Sequence, residues 1–198
     1  EGPDHLYRGA LGQCVVAHLR ALGGLMTMED LAAVKPRWRE PFAASYRGLT
    51  VHVPPPPCEA FQFLLSLKIL EGSDLGGLAK DGPEHLDLVF RAIRLAAGVR
   101  IAANNPSLER LAAIFAEDAL AALRRRLTDG VPVEGPTEQW TPQLAEDPAH
   151  TTSFSASDAE GNLVCITNSL GSPFGSGIVV PGTGVCLNNF LYWSDVQT

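Results

Sequence analysis

The sequence lacks most of the features that would place a chain of this size in a specialised class. No apolar run approaches the about 20 residues of a membrane-spanning helix, which excludes a bilayer span within it. No basic stretch precedes an apolar segment at its start, so no secretory leader is expected in the chain. Lys and Arg number 15 against 22 Asp and Glu, a formal net charge of -7, and the basic footprint of a nucleic-acid binder is missing. The one dense basic cluster, Arg124-Arg125-Arg126, falls at the expected end of a helix, where cations complement the helix dipole. Cysteines are few. Cys14, Cys58, Cys165 and Cys186 show no Cys-x-x-Cys spacing, which argues against a zinc ribbon or redox dithiol and predicts buried free thiols. The histidines (His5, His18, His52, His85, His150) form no i, i+4 pair and have no carboxylate at metal spacing, so neither a metal site nor a cofactor is expected. No Gly-x-Ser-x-Gly elbow occurs, against a Ser-His-Asp hydrolase. The glycine-rich run Gly171–Gly177 lacks the Lys-Ser/Thr pair and the following helix of a phosphate loop, against nucleotide binding.

What is present is a globular composition, 45% hydrophobic and 19% charged over 198 residues, enough for one core of ordinary size. Leu11, Val15, Leu19 and Leu22 recur at helical spacing until Gly23-Gly24 stops them. Thr27 with Asp30 has the form of a capping box opening a short helix through about Ala33, ended by Pro36. Phe42, Tyr46, Val51 and Val53 around Arg47-Gly48 predict two short strands and a turn. Pro54–Pro57 then reads as a rigid extended connector. Three helices are expected next: residues 60–72, then Pro83 to about Ala103, then one opened by Pro106-Ser107 and running past Leu123. From Thr128 to His150 periodicity gives way to Pro, Gly, Asp and Glu, a long linker of the kind that is usually functional. After it the chain turns to strands, at 151–157, 163–170, 177–180 and 184–187.

Residues 151–170 read as a hairpin around Asp158-Ala159-Glu160-Gly161-Asn162. With Ser157 opposite Leu163, the alternation sets Thr151 across from Ser169, Ser153 across from Thr167 and Ser155 across from Cys165, all on one face. Phe154 with Ile166 and Ala156 with Val164 occupy the other face, the expected core side. Directly opposed Cβ atoms lie about 4.5–5.5 Å apart, which brings two hydroxyls within hydrogen-bond reach at the open end. Hydroxyl rows are common on strands, so the pattern alone leaves catalysis and ordinary sheet packing both open.

The order of short motifs goes further. His150-Thr151-Thr152-Ser153-Phe154-Ser155, Asp158-x-x-Gly161-Asn162, Phe174-Gly175-Ser176-Gly177-Ile178-Val179 and Gly184-Val185-Cys186-Leu187-Asn188-Asn189 resemble the start of the small subunit of the γ-glutamyltranspeptidase family. Leu6-Tyr7-Arg8-Gly9, Gly23–Leu31, Arg39-Glu40-Pro41, Tyr46-Arg47-Gly48 and Pro54–Pro57 with the helix after them resemble the end of its large subunit.

The resemblance implies an α+β chain that forms an incomplete part of the four-layer αββα sandwich of the N-terminal nucleophile hydrolases. Residues 1–150 would be the mostly helical C-terminal part of a large subunit, ending in the flexible linker 128–150. Residues 151–198 would be the N-terminal part of a small subunit, and the two subunits would pair after self-cleavage between His150 and Thr151. Thr151 would be the nucleophile and its freed α-amino group, of reference pKa about 8, the base. Ser169, eighteen positions on, would hydrogen-bond the nucleophile. His150 would either assist the cut or be an ordinary exposed linker histidine. Gly171, Asn189, Phe190 and Trp193 fall in the family's substrate-binding stretch, but Gly171, Phe190 and Trp193 stand where typical transpeptidases carry amide and carboxylate groups for an α-ammonium. Two readings of the aromatic segment follow: an apolar pocket that rejects an ammonium, or simple packing.

The implied substrate is a small-molecule γ-glutamyl amide such as glutathione, with acyl transfer through a threonyl ester to water or an amine. The alternatives are a cephalosporin-acylase-like amidase for glutaryl or other N-acyl amides, and a non-catalytic, uncleaved homologue. The family's substrate-clamping arginine and its oxyanion segment would lie before residue 1 and after residue 198, so the isolated stretch is expected to be inactive.

Overall fold

The computed structural model describes residues 2–129 and 151–193, with helices and one hairpin in the first stretch and a second hairpin in the other. The chain divides into two compact units, Arg37–Gln139 and a second that joins Glu1–Pro36 with Trp140–Thr198.

In the first unit, strands β1 (Phe42–Tyr46) and β2 (Leu49–Val53) pair antiparallel, Phe42 with Val53 and Tyr46 with Leu49. Arg47 (φ 49°) and Gly48 (φ 82°) supply the two positive φ angles that a two-residue hairpin turn requires. Such a φ is uncommon for arginine, and the surroundings hold it in place. The Arg47 N–H donates to Glu71 Oε1 at 2.9 Å, and its guanidinium donates to the Ser73 carbonyl at 3.1 Å.

Helix α4 (Phe61–Leu70) is apolar on nearly every side because it lies against α5 (Pro83–Ala102), α7 (Glu117–Thr128) and β1. Phe61, Leu65 and Ile69 meet Ala92, Leu95 and Ala96 of α5 and Leu120, Leu123 and Leu127 of α7 in one buried cluster. Phe42 and Phe115 pack edge to face beside it, centroids 5.0 Å apart. The Arg124 side chain ties α7 to α4, donating to the Lys68 carbonyl at 3.1 Å while pairing with Glu117 at 2.6 Å.

Glu71, just past α4, takes a hydrogen bond from Lys68 and another from the Arg47 N–H, and these hold its carboxyl below the usual carboxylate range. A depressed folded pKa contributes stability that is present above the unfolded value and is lost as pH falls through the folded one. Glu71→Gln should therefore melt earlier at pH 7, by about 1–2 kcal/mol on the scale of a charge-assisted hydrogen bond. Thermal melts should show the gap to wild type closing as the pH is lowered through the carboxylate range; a gap independent of pH contradicts this account.

The predicted third helix is two helices. Helix α6 (Leu108–Ile114) ends at Phe115, Ala116 is extended, and α7 starts at Glu117. An apolar stripe continuing from Ile114 needs apolar side chains at 117 or 118, and Glu117 and Asp118 stand there instead, suited to the first turn of a new helix. The proline run also differs from expectation: Pro56-Pro57 forms a turn with a cis peptide bond, closed by Cys58 N–H donating to the Pro55 carbonyl at 3.1 Å.

In the second unit, α1 (Asp4–Tyr7), α2 (Ala10–Ala21) and α3 (Met28–Ala33) pack on one another. The capping box is formed: Asp30 N–H donates to Thr27 Oγ1 at 3.2 Å and Thr27 N–H to Asp30 Oδ2 at 2.8 Å. Strands β3 (Thr151–Ser157) and β4 (Leu163–Ser169) form the second hairpin. Its expected core face is not buried among the described residues: Phe154 is 53% exposed and Ile166 43%. The physical reason is that, among the described residues, β3 and β4 form a two-stranded sheet and no further element packs on that face. Residues 177–187 form a single bridge, Val179 to Cys186, where two further strands are predicted. The cysteines are free, but Cys14, Cys58 and Cys165 are exposed and only Cys186 is partly covered, so the prediction of buried thiols does not hold. Cys165 illustrates why, since its register places it on the exposed hydroxyl face across from Ser155. No helix among the described residues is long and apolar enough to cross a membrane.

Candidate active site

The turn of the second hairpin fixes its register. Asp158 accepts from the Asn162 side-chain amide at 2.7 Å and from its backbone N–H at 2.8 Å, which lowers the Asp158 pKa. Gly161 takes the left-handed position at φ 84°. Counted from that turn, every pair stands as the alternation predicts: Ser157 with Leu163, Ser155 with Cys165, Ser153 with Thr167 and Thr151 with Ser169. A slip of one residue would carry all the hydroxyls to the other face.

At the open end the Thr151 hydroxyl donates to Ser169 Oγ at 3.1 Å, and one step inward Ser153 and Thr167 are also 3.1 Å apart. Ser169 Oγ accepts a second hydrogen bond, from the Gly171 N–H at 3.1 Å. Thr151 is exposed, whereas Gly171 is buried.

The chain leaving β4 is then clasped by the segment around Asn189. Asn189 N–H donates to the Leu170 carbonyl at 3.0 Å, Asn189 Oδ1 accepts from Ser172 N–H at 3.0 Å, and Asn189 Nδ2 donates to Ser172 Oγ at 2.8 Å. Of the residues singled out in the sequence, Thr151, Ser169, Gly171 and Asn189 thus form one connected group. Phe190 begins a short 3-10 turn, Phe190–Trp193, and its N–H donates to Asn188 Oδ1 at 3.1 Å. His150 and the side chain of Trp193 lie outside the described residues. Ser172 was not singled out as part of a site; its partner lies 17 residues away, and no local spacing signals such a contact. Among the described residues, no three His, Cys, Asp or Glu side chains gather as a metal site would need.

The family model for gamma-glutamyltranspeptidase matches residues 1–193. The chain is 35% identical over 196 residues to the Acylase ACY 1 proenzyme of Pseudomonas sp. (strain SE83), covering 97% of this chain and 34% of that protein. It is 34% identical over 194 residues to the glutathione hydrolase proenzyme of Pseudomonas aeruginosa, covering 96% of this chain and 34% of the relative. Its structure superposes on the cephalosporin acylase of Bacillus halodurans with a TM-score of 0.70 at 28% identity, over 94% of this chain and 33% of the other. The chain spans about a third of the length of these relatives. Its fold is α+β, a partial N-terminal nucleophile hydrolase sandwich. On the match of residues 1–193, the chain belongs to the γ-glutamyltranspeptidase family.

Proposed function

We propose that the protein is an autoprocessing acyl-transfer enzyme of γ-glutamyltransferase and hydrolase type. The observation that carries this reading is the 3.1 Å hydrogen bond between the hydroxyls of Thr151 and Ser169 at the open end of the hairpin. In the uncut chain the Thr151 nitrogen is an amide and has no basic lone pair. Cleavage of the bond after His150 converts it to an amine on the same residue as the nucleophile, a group whose reference pKa of about 8 suits proton transfer near neutrality. Thr151 Oγ then attacks the amide carbonyl of a γ-glutamyl donor such as glutathione while its own amine takes the proton. The tetrahedral intermediate expels the donor's amine, which leaves with that proton, and water or an acceptor amine releases the acyl group from the threonyl ester. Ser169, held by Gly171, orients the nucleophile. Residues up to His150 would then form the end of one subunit and residues from Thr151 the start of its partner; relatives named as proenzymes support that division.

A second reading narrows the donor to glutaryl or other N-acyl amides. Gly171 has no side chain, and Phe190, 40% exposed, presents an apolar one. A γ-glutamyl group is a glutaryl group carrying an ammonium, and that charge has no polar side chain to meet at these two positions. The similarity to two acylases points the same way.

The test is a denaturing gel of the full-length protein with N-terminal sequencing. Two bands are expected, the smaller beginning at Thr151; a single uncut band under all conditions favours a non-catalytic homologue. Anilide assays then separate the donors. Gly171 and Phe190 predict that the glutaryl anilide outpaces the γ-glutamyl anilide by about tenfold or more in kcat/KM, on the scale of one unpaired polar group. A strong preference for γ-glutamyl removes the second reading and leaves the first.

A further inference from the structure

Gly171 is gripped from both sides by one residue. Asn189 holds the Leu170 carbonyl with its backbone N–H at 3.0 Å and holds Ser172 through both side-chain amide atoms, at 3.0 and 2.8 Å. The peptide groups flanking Gly171 are therefore fixed in orientation, and with them a φ of 93°. In that orientation the Gly171 N–H donates to Ser169 Oγ at 3.1 Å. A serine hydroxyl on its own samples three staggered χ1 positions. The bond from Gly171 selects the one in which Ser169 Oγ also meets the Thr151 hydroxyl, 3.1 Å away.

We infer that Asn189 is a positioning residue for the acyl transfer, which through Leu170 and Ser172 holds the Gly171 N–H on Ser169 and so fixes Ser169 against the Thr151 hydroxyl. The inference rests on the roles proposed above for Thr151 and Ser169. It gives Asn189 a task distinct from substrate binding, because both atoms of its amide are engaged by its own chain.

The test compares full-length Asn189→Ala and Asn189→Asp with Thr151→Ala as the reference. Asn189→Ala should slow self-cleavage and lower kcat by about 10–100-fold, the scale of a misplaced reacting group, with KM changed by less than about threefold. Asn189→Asp should recover most of that loss, because a carboxylate of the same shape accepts from the Ser172 N–H and from the Ser172 hydroxyl turned to donate. A raised KM at unchanged kcat makes Asn189 a substrate-binding residue and overturns the inference. Equal losses in both variants, with a lowered melting temperature and unchanged activity per folded molecule, make it merely structural and also overturn the inference. Failure of the underlying reading looks different: Thr151→Ala would still be cut at the same bond. An Asn189→Ala protein as active as wild type, beside an inert Thr151→Ala, sinks the positioning role alone.

Discussion

Replacing Thr151 with alanine should leave the full-length chain uncut and remove amide turnover, a loss of at least about 10⁴-fold by comparison with nucleophile deletions in other hydrolases. The substitution deletes the hydroxyl that donates to Ser169 at 3.1 Å and little else, because the residue is exposed at the first position of β3. Exposed substitutions of this kind change stability by about 0.5 kcal/mol or less, so the melting temperature should stay close to wild type. The control is Thr151→Ser, which keeps Oγ but loses the methyl group that restricts χ1. It should cut and turn over more slowly, by about tenfold, since the hydroxyl is present but less well aimed. Mass spectrometry of the chain and an anilide assay read both quantities. A Thr151→Ala chain still severed after His150 would show that another group attacks that bond.

Gly171→Ala should also be damaging, though less so and for a different reason. A Cβ on Gly171 would lie 2.1 Å from Asn189 Oδ1, well inside contact distance. The backbone there has φ 93°, a conformation that L side chains rarely adopt, at a penalty of about 1–3 kcal/mol. Asn189 cannot yield freely, since its amide is held by Ser172 at 3.0 and 2.8 Å, and releasing it forfeits about 1 kcal/mol per bond. Either the loop around 171 shifts or the clasp opens, and in both cases the N–H on Ser169 is displaced. Self-cleavage should fall by about 10²-fold or more. The helical unit Arg37–Gln139 should keep its circular dichroism, while hydrogen exchange at Gly171 and Ser172 accelerates. A Gly171→Ala protein that cleaves at the wild-type rate would mean that this geometry is dispensable.

The hairpin was legible because its information is local. Asp158, Gly161 and Asn162 specify the turn, the alternation specifies the faces, and the register follows by counting, so Thr151 opposite Ser169 needs no distant contact. The capping box at Thr27 and the start of α5 at Pro83 are local in the same sense. The break at Phe115–Ala116 was also local, but it is visible only when the acidic pair Glu117-Asp118 is read as an interruption of the apolar stripe. What escaped was long-range. The clasp of Asn189 on Ser172 joins two loops without periodicity, and asparagine and serine are common in loops for many reasons. Burial failed similarly: the alternation in β3 and β4 assigns Phe154 and Ile166 to a core face, but whether a face is covered depends on what packs against it.

The ladder between β3 and β4 has a consequence for a severed chain. A break in a backbone ordinarily creates two frayed ends that must be reordered before either can act. A cut before Thr151 would instead create an end that is already the last rung of a paired strand, with Thr152 through Ser157 matched to Asn168 through Leu163 behind it. The new terminus would thus inherit its address from the hairpin, and the amine would appear beside the hydroxyl it serves with almost no search left to perform.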